Sequence, residues 1–153
     1  MPAVTDALAS AGPRRISRIL LATDLSPASD GAADEAIQLA HDLRAELLLV
    51  SVIDAMRGAS FERQVERMDQ RRAARELAAQ ALVIRGRRAG VVTSFLVWEG
   101  DPGPAIVEAA DAEHVDLVVV GTRGRNRIER AVLGSVSDHV IRNASCPVLI
   151  VRA

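Results

Sequence analysis

The chain has 153 residues, 49% of them apolar, 25% charged and 2% aromatic, with a formal net charge of -1. That suffices for one globular domain with a filled aliphatic core, and it supplies neither a global attraction for polyanions and anionic membranes nor many rings for stacking nucleic-acid bases. All nineteen basic residues are arginine, so a phosphate-binding lysine, a Schiff-base lysine and the lysine of a receiver domain are excluded.

Residues 1–15 lack the apolar centre of a secretory signal and read as a loose tail ahead of a single domain over 16–153. Ile16 to Thr23 is a short branched apolar run, the first strand. Asp24-Leu25-Ser26-Pro27 then reads as a turn with Ser26 as N-cap and Pro27 opening a helix. Ala33, Ile37, Ala40 and Leu43 recur at helical spacing. Leu47 to Ile53 is a second strand, apolar on both faces, which completes a β-α-β unit. Asp54 to Gly58 is a loop, and Phe61 to Arg85 a long charged helix with Phe61, Val65, Met68, Leu77, Ala81 and Ile84 inward. Its first part and the loop before it are candidates for a lid.

Gly90 to Trp98 is the third strand, and Trp98 is expected to pack under the turn that follows. Pro104 opens a helix through Ala112, Asp116 to Val120 is the fourth strand, Ser135 to Asn143 a helix capped by Ser135, and Pro147 to Val151 the fifth strand. Strands alternating with helices predict a doubly wound α/β sandwich, a five-stranded parallel sheet with helices on both faces. Ligands of such sheets sit beyond the carboxyl ends of the strands where strand order reverses. If the first and fourth strands are neighbours, Thr23-Asp24, Val52-Ile53 and Gly121 line one crevice.

Gly121 and Gly124 let the chain turn back and aim amides into a nest where a Cβ would crowd a phosphate. Gly134 and Ser135 bring a helix N-terminus, and Ser135 and Ser137 add hydroxyls. Arg123, Arg125, Arg127 and Arg130 are candidate phosphate contacts, a solvated basic loop being the alternative for at least two. Asp24 is either a ligand-side acid or a turn residue. His41, His114 and His139 have no partners at metal-ligand spacing, so no metal site is expected. Cys146 cannot form an intramolecular disulfide, fits a reducing compartment and reads as a buried structural thiol. No apolar run approaches the ~18 residues of a membrane span. A cytoplasmic protein is expected, without membrane or nucleic-acid partners.

On "RILLATDLSPAS", "LLLVSVID" and the segment from "GDPGPAIV" to "CPVLIV", the sequence resembles the universal stress protein family from about Ile16 to Val151. Gly121, Gly124, Gly134 and Ser135 match the Gly-x2-Gly-x9-Gly-Ser/Thr motif of its ATP-binding branch. The resemblance implies a Rossmann-like, adenine nucleotide alpha hydrolase-like fold that binds ATP, with ADP or AMP as alternatives and Mg²⁺ carried through the phosphates. It places Ala22, Thr23 and Asp24 near adenosine and Val52 at adenine. Gly121, Thr122, Arg123, Gly124 and Arg125 come at ribose and phosphates, and Gly134, Ser135, Val136 and Ser137 at the phosphate tail. It departs at Ser51, where many relatives carry His, which would reshape the adenine pocket. No base or metal-binding carboxylate is evident beyond Glu129 and Asp138, so hydrolysis is expected to be slow or absent. A homodimer through the final strand and an unknown protein partner are implied. The alternatives are a dimerisation scaffold that binds no nucleotide, or a slow ATPase. A nucleotide α-phosphate hydrolase or ligase lacks support, since "TDLSPAS" has no glycine-rich loop.

Overall fold

A computed structural model describes residues 13–54, 60–122 and 133–152. Five strands among them, β1 (Arg18–Ala22), β2 (Glu46–Ile53), β3 (Thr93–Glu99), β4 (Leu117–Gly121) and β5 (Val148–Val151), form one sheet in the order β3-β2-β1-β4-β5, parallel throughout. The helices are α1 (Asp30–Leu43), α2 (Phe61–Arg88), α3 (Pro102–Ala112) and α4 (Ser135–Asn143). The predicted sheet and its reversal of strand order between β1 and β4 are both present.

Alternation along each strand divides the core in two. Ile19, Leu21, Leu47, Leu49, Leu117 and Val119 pack against α1 and α2. Leu20, Leu48, Val50, Val118 and Val120 pack against α3 and α4. Ile19, Leu20 and Leu21 of the central strand are wholly buried, each contributing about 1.5–3 kcal/mol of apolar burial.

Several local expectations shift. Ser26 caps a 3-10 turn, Pro27–Ser29, and α1 starts only at Asp30. Leu43 is largely exposed, the buried stripe of α1 being Ala32, Ala33, Ala36, Ile37 and Ala40. In α2 the buried residues are Arg75, Ala79, Leu82, Val83 and Gly86. Phe61 and Val65 share roughly their azimuth but are 79% and 44% exposed, while Leu77, Ala81 and Ile84 face outward. Gly86 permits the close seat of α2 on β3: a Cβ there would stand 2.3 Å from Thr93 Oγ1. The helix α3 begins at Pro102, two residues ahead of Pro104. Gly134, not Ser135, is the N-cap of α4, with no side-chain cap bond. Trp98, expected under the following turn, packs against the α3/α4 side of the core.

Candidate functional site

The carboxyl ends of β1, β2 and β4 meet at the reversal point. The amide of Thr23 donates to the carbonyl of Val50 (3.0 Å), tying the end of β1 to β2, and that of Thr122 donates to the carbonyl of Val151 (3.0 Å). Just past β1 the backbone turns sharply through Leu25 at φ 60°, a left-handed conformation that a branched apolar residue rarely adopts. Two side chains hold it there. Thr23 Oγ1 accepts from the Leu25 amide at 3.0 Å, and Asp24 Oδ1 accepts from the Ser26 amide at 2.9 Å. Both Ser26 Oγ and Ser29 Oγ donate to the same Asp24 oxygen. Asp24 is therefore a turn-organising residue as well as a rim carboxylate.

On the β4 side, Ser137 Oγ donates to the carbonyl of Gly121 at 3.1 Å, across 16 residues of chain. That bond seats the first turn of α4 against the end of β4. Gly134 and Ser135 are exposed there, Ser137 is buried, and Gly121 and Thr122 are half-buried. The packing of α4 on α3 is close: a Cβ on Gly103 would lie 2.9 Å from His139 Cβ. Ala22, Val52 and Val136 are partly buried against the same cluster, apolar side chains near a helix terminus whose first amides have no partner within the helix.

The structure thus brings together Ala22, Thr23, Asp24, Val52, Gly121, Thr122, Gly134, Ser135, Val136 and Ser137 around one rim. Arg123, Gly124 and Arg125, with Arg127, Glu129 and Arg130, lie outside the described residues, as does most of the candidate lid loop. Ser51, expected to bear on the shape of the adenine pocket, is engaged on the α1/α2 side. Ser51 points to the face opposite Val52, is 2% exposed, and accepts a hydrogen bond from Arg75 of α2. Arg75 is itself buried, and its place in the helix stripe is the signal that could have revealed it. A cavity of about 200 Å³ beside the Leu25 turn, bordered by Ser26, Ser29, Ala33, Leu82 and Arg85, likewise opens on the α1/α2 side. Cys146 is half-buried, and burial raises its thiol pKa, helped by the charge of Asp111.

Among the described residues, no group of three His, Cys, Asp or Glu side chains could hold a metal ion. Asp138, in the first turn of α4, pairs with Arg142 at 3.0 Å. No described helix is long and apolar enough to cross a membrane.

Comparison with known proteins agrees with this geometry. The family model described as "Universal stress protein family" matches residues 15–152. A universal stress protein of Methanocaldococcus jannaschii is 34% identical over 152 residues, covering 92% of this chain and 85% of that one. The solved structure of universal stress protein UspA from Lactobacillus plantarum aligns with a TM-score of 0.84 at 25% identity, over 92% of this chain and 100% of that one. A universal stress protein solved in complex with cAMP aligns with a TM-score of 0.70 at 28% identity, over 91% of this chain and 98% of the other. With its fold, strand order and near full-length match, this chain belongs to the universal stress protein family.

Proposed function

We propose that this chain is an adenine-nucleotide-binding stress-response module that takes ATP, with ADP or AMP as alternative ligands, at the carboxyl rim of β1, β2 and β4. The observation that carries the reading is the bond from Ser137 to the Gly121 carbonyl, which sets the amino end of α4 beside the end of β4. Free amides and a partial positive charge at a helix start favour phosphate. The half-buried Ala22, Val52 and Val136 offer the same ligand an apolar floor. The cAMP complex of a relative 28% identical to this chain supports an adenine ligand.

Mg²⁺ fits this rim only as a passenger on the phosphate oxygens, because the described side chains build no carboxylate cage for it. Asp24 is engaged by Ser26 and Ser29, and Asp138 by Arg142, so neither is poised as a general base. In this reading the module is a binder with slow or no intrinsic hydrolysis, cytoplasmic and homodimeric, whose occupied state is read by another protein.

Titration calorimetry of nucleotide-stripped protein with ATP, ADP and AMP tests the reading. Saturable binding is expected. Gly124→Asp, which puts a carboxylate where the motif leaves room for phosphate, is expected to weaken ATP by about ten-fold or more, some 1.4 kcal/mol, with an unchanged melting midpoint. No binding heat for any of the three at millimolar concentration overturns it.

A further inference from the structure

The rim has a member that the glycine motif does not announce. Ladder pairing aligns Val120, Ala22, Val50 and Leu96 in one row across β4, β1, β2 and β3. Side chains repeat every second residue, so the next row toward the carboxyl ends holds Val52 and Trp98, and Asp24 and Thr122 stand two residues on from Ala22 and Val120, just past the ends of β1 and β4. Val52 and Trp98 are themselves ladder partners. Thr122, Asp24 and Val52 are already candidates for the site, and Trp98 closes it at the β3 end.

The burial of Trp98 fits a wall better than a core plug. Its side chain packs against the cluster that also receives Ala22, Val52 and Val136, yet it remains half-buried. No buried side-chain nitrogen or oxygen among the described residues lacks a partner, and none of the described residues accepts a hydrogen bond from the indole N–H. That N–H therefore reaches solvent, and the ring stands at the carboxyl end of the sheet beside Val52. Neighbouring strands lie about 4.8 Å apart, so the rim runs roughly 14 Å from β4 to β3. That length suits a nucleoside monophosphate lying with its phosphate at Gly121 and α4 and its base toward β3.

We propose that Trp98 forms the base-contacting wall of the nucleotide subsite and makes the site selective for ligands that carry a purine. The proposal rests on the nucleotide reading given above. Aromatic stacking rewards a flat base and gives nothing to a bare sugar phosphate. Trp98 is the sole tryptophan and the chain has no tyrosine, so emission excited at the red edge reports on this side chain alone.

The test pairs that emission with calorimetry on the full chain, using AMP, ATP and ribose 5-phosphate. Adenine nucleotides are expected to change Trp98 emission saturably, at the concentration calorimetry gives, and ribose 5-phosphate is expected to leave it unchanged. Trp98→Leu is expected to weaken AMP by about ten-fold, while Trp98→Phe, which keeps a stacking face, restores most of that loss. Wild-type binding by calorimetry with unchanged emission overturns the proposal and leaves the nucleotide reading standing, and so do equal losses in the Leu and Phe variants. If the wild type binds no nucleotide at all, both fall. Melting curves of the two variants separate loss of binding from loss of fold.

Discussion

The carboxylate of Asp116 joins β1 to β4 at the end of the sheet remote from the rim. Its Oδ2 accepts from the Ser17 amide at 2.9 Å, from Ser17 Oγ at 3.0 Å and from the Arg18 amide at 3.0 Å. Its own amide donates to the Arg18 carbonyl at 2.8 Å. The Ser17 amide bond is the largest cause holding its pKa below the usual carboxylate range; partial desolvation opposes it, and the Ser17 hydroxyl, the Arg18 amide and the charge of Arg14 add to the lowering. A carboxyl with a lowered folded pKa stabilises above its unfolded pKa, and the gain is lost as pH falls through the folded value. Stability should therefore decline in the acid range below ordinary carboxylate titration. Asp116→Asn is expected to cost about 1 kcal/mol at neutral pH, discounted for solvent exposure, and to flatten that decline. Urea midpoints measured from pH 7 down to pH 3 check both. Nothing in the local sequence announces this role, because Ser17 stands 99 residues away. The places of Thr23 and Gly121 at the ends of their strands were legible for the opposite reason: each stands at the boundary of an element, where turn chemistry is local.

Among the elements, α2 is the least legible and the most consequential. Its 28 residues carry so many arginines and alanines that apolar spacing gives two competing stripes, and only contact with β2 and β3 chooses between them. The same contact protects an edge. Since the amide of Leu47 donates to the carbonyl of Val92, the carbonyls of Thr93 and Val97 point away from β2. Arg72 Nη1 donates to the Val97 carbonyl at 3.1 Å and Arg87 Nη2 to that of Thr93 at 3.5 Å, with Arg72 Nη2 also bonded to Glu99 at 2.9 Å. Guanidinium groups thus occupy acceptors that a foreign strand would use. The double variant Arg72→Ala, Arg87→Ala is expected to form species larger than those of the wild type, at least two-fold heavier by light scattering at micromolar protein. An unchanged mass would show that the edge is closed by other means.

For the molecule as a whole, the alternation of strands and helices was enough to give the parallel sheet and its crevice. The arginine-rich stretch between Gly121 and Gly134 lies largely outside the described residues, so its part in the site stays with the motif. The far edge differs from β3. The carbonyls of Pro147 and Val151 accept from β4, so the amide and carbonyl of Ile150 face outward, available to a second copy. Light scattering is expected to give twice 16.3 kDa, and Ile150→Pro, which removes that outward donor, is expected to shift the mass toward one copy. The central position of β1 has a further consequence, for synthesis. This strand emerges early, yet its neighbour β4 follows far downstream, with Arg18 and Asp116 98 residues apart. Until translation delivers that neighbour, Leu20 and its flanking residues lack their β4 cover, the kind of exposed apolar surface that makes incompletely folded chains prone to aggregate.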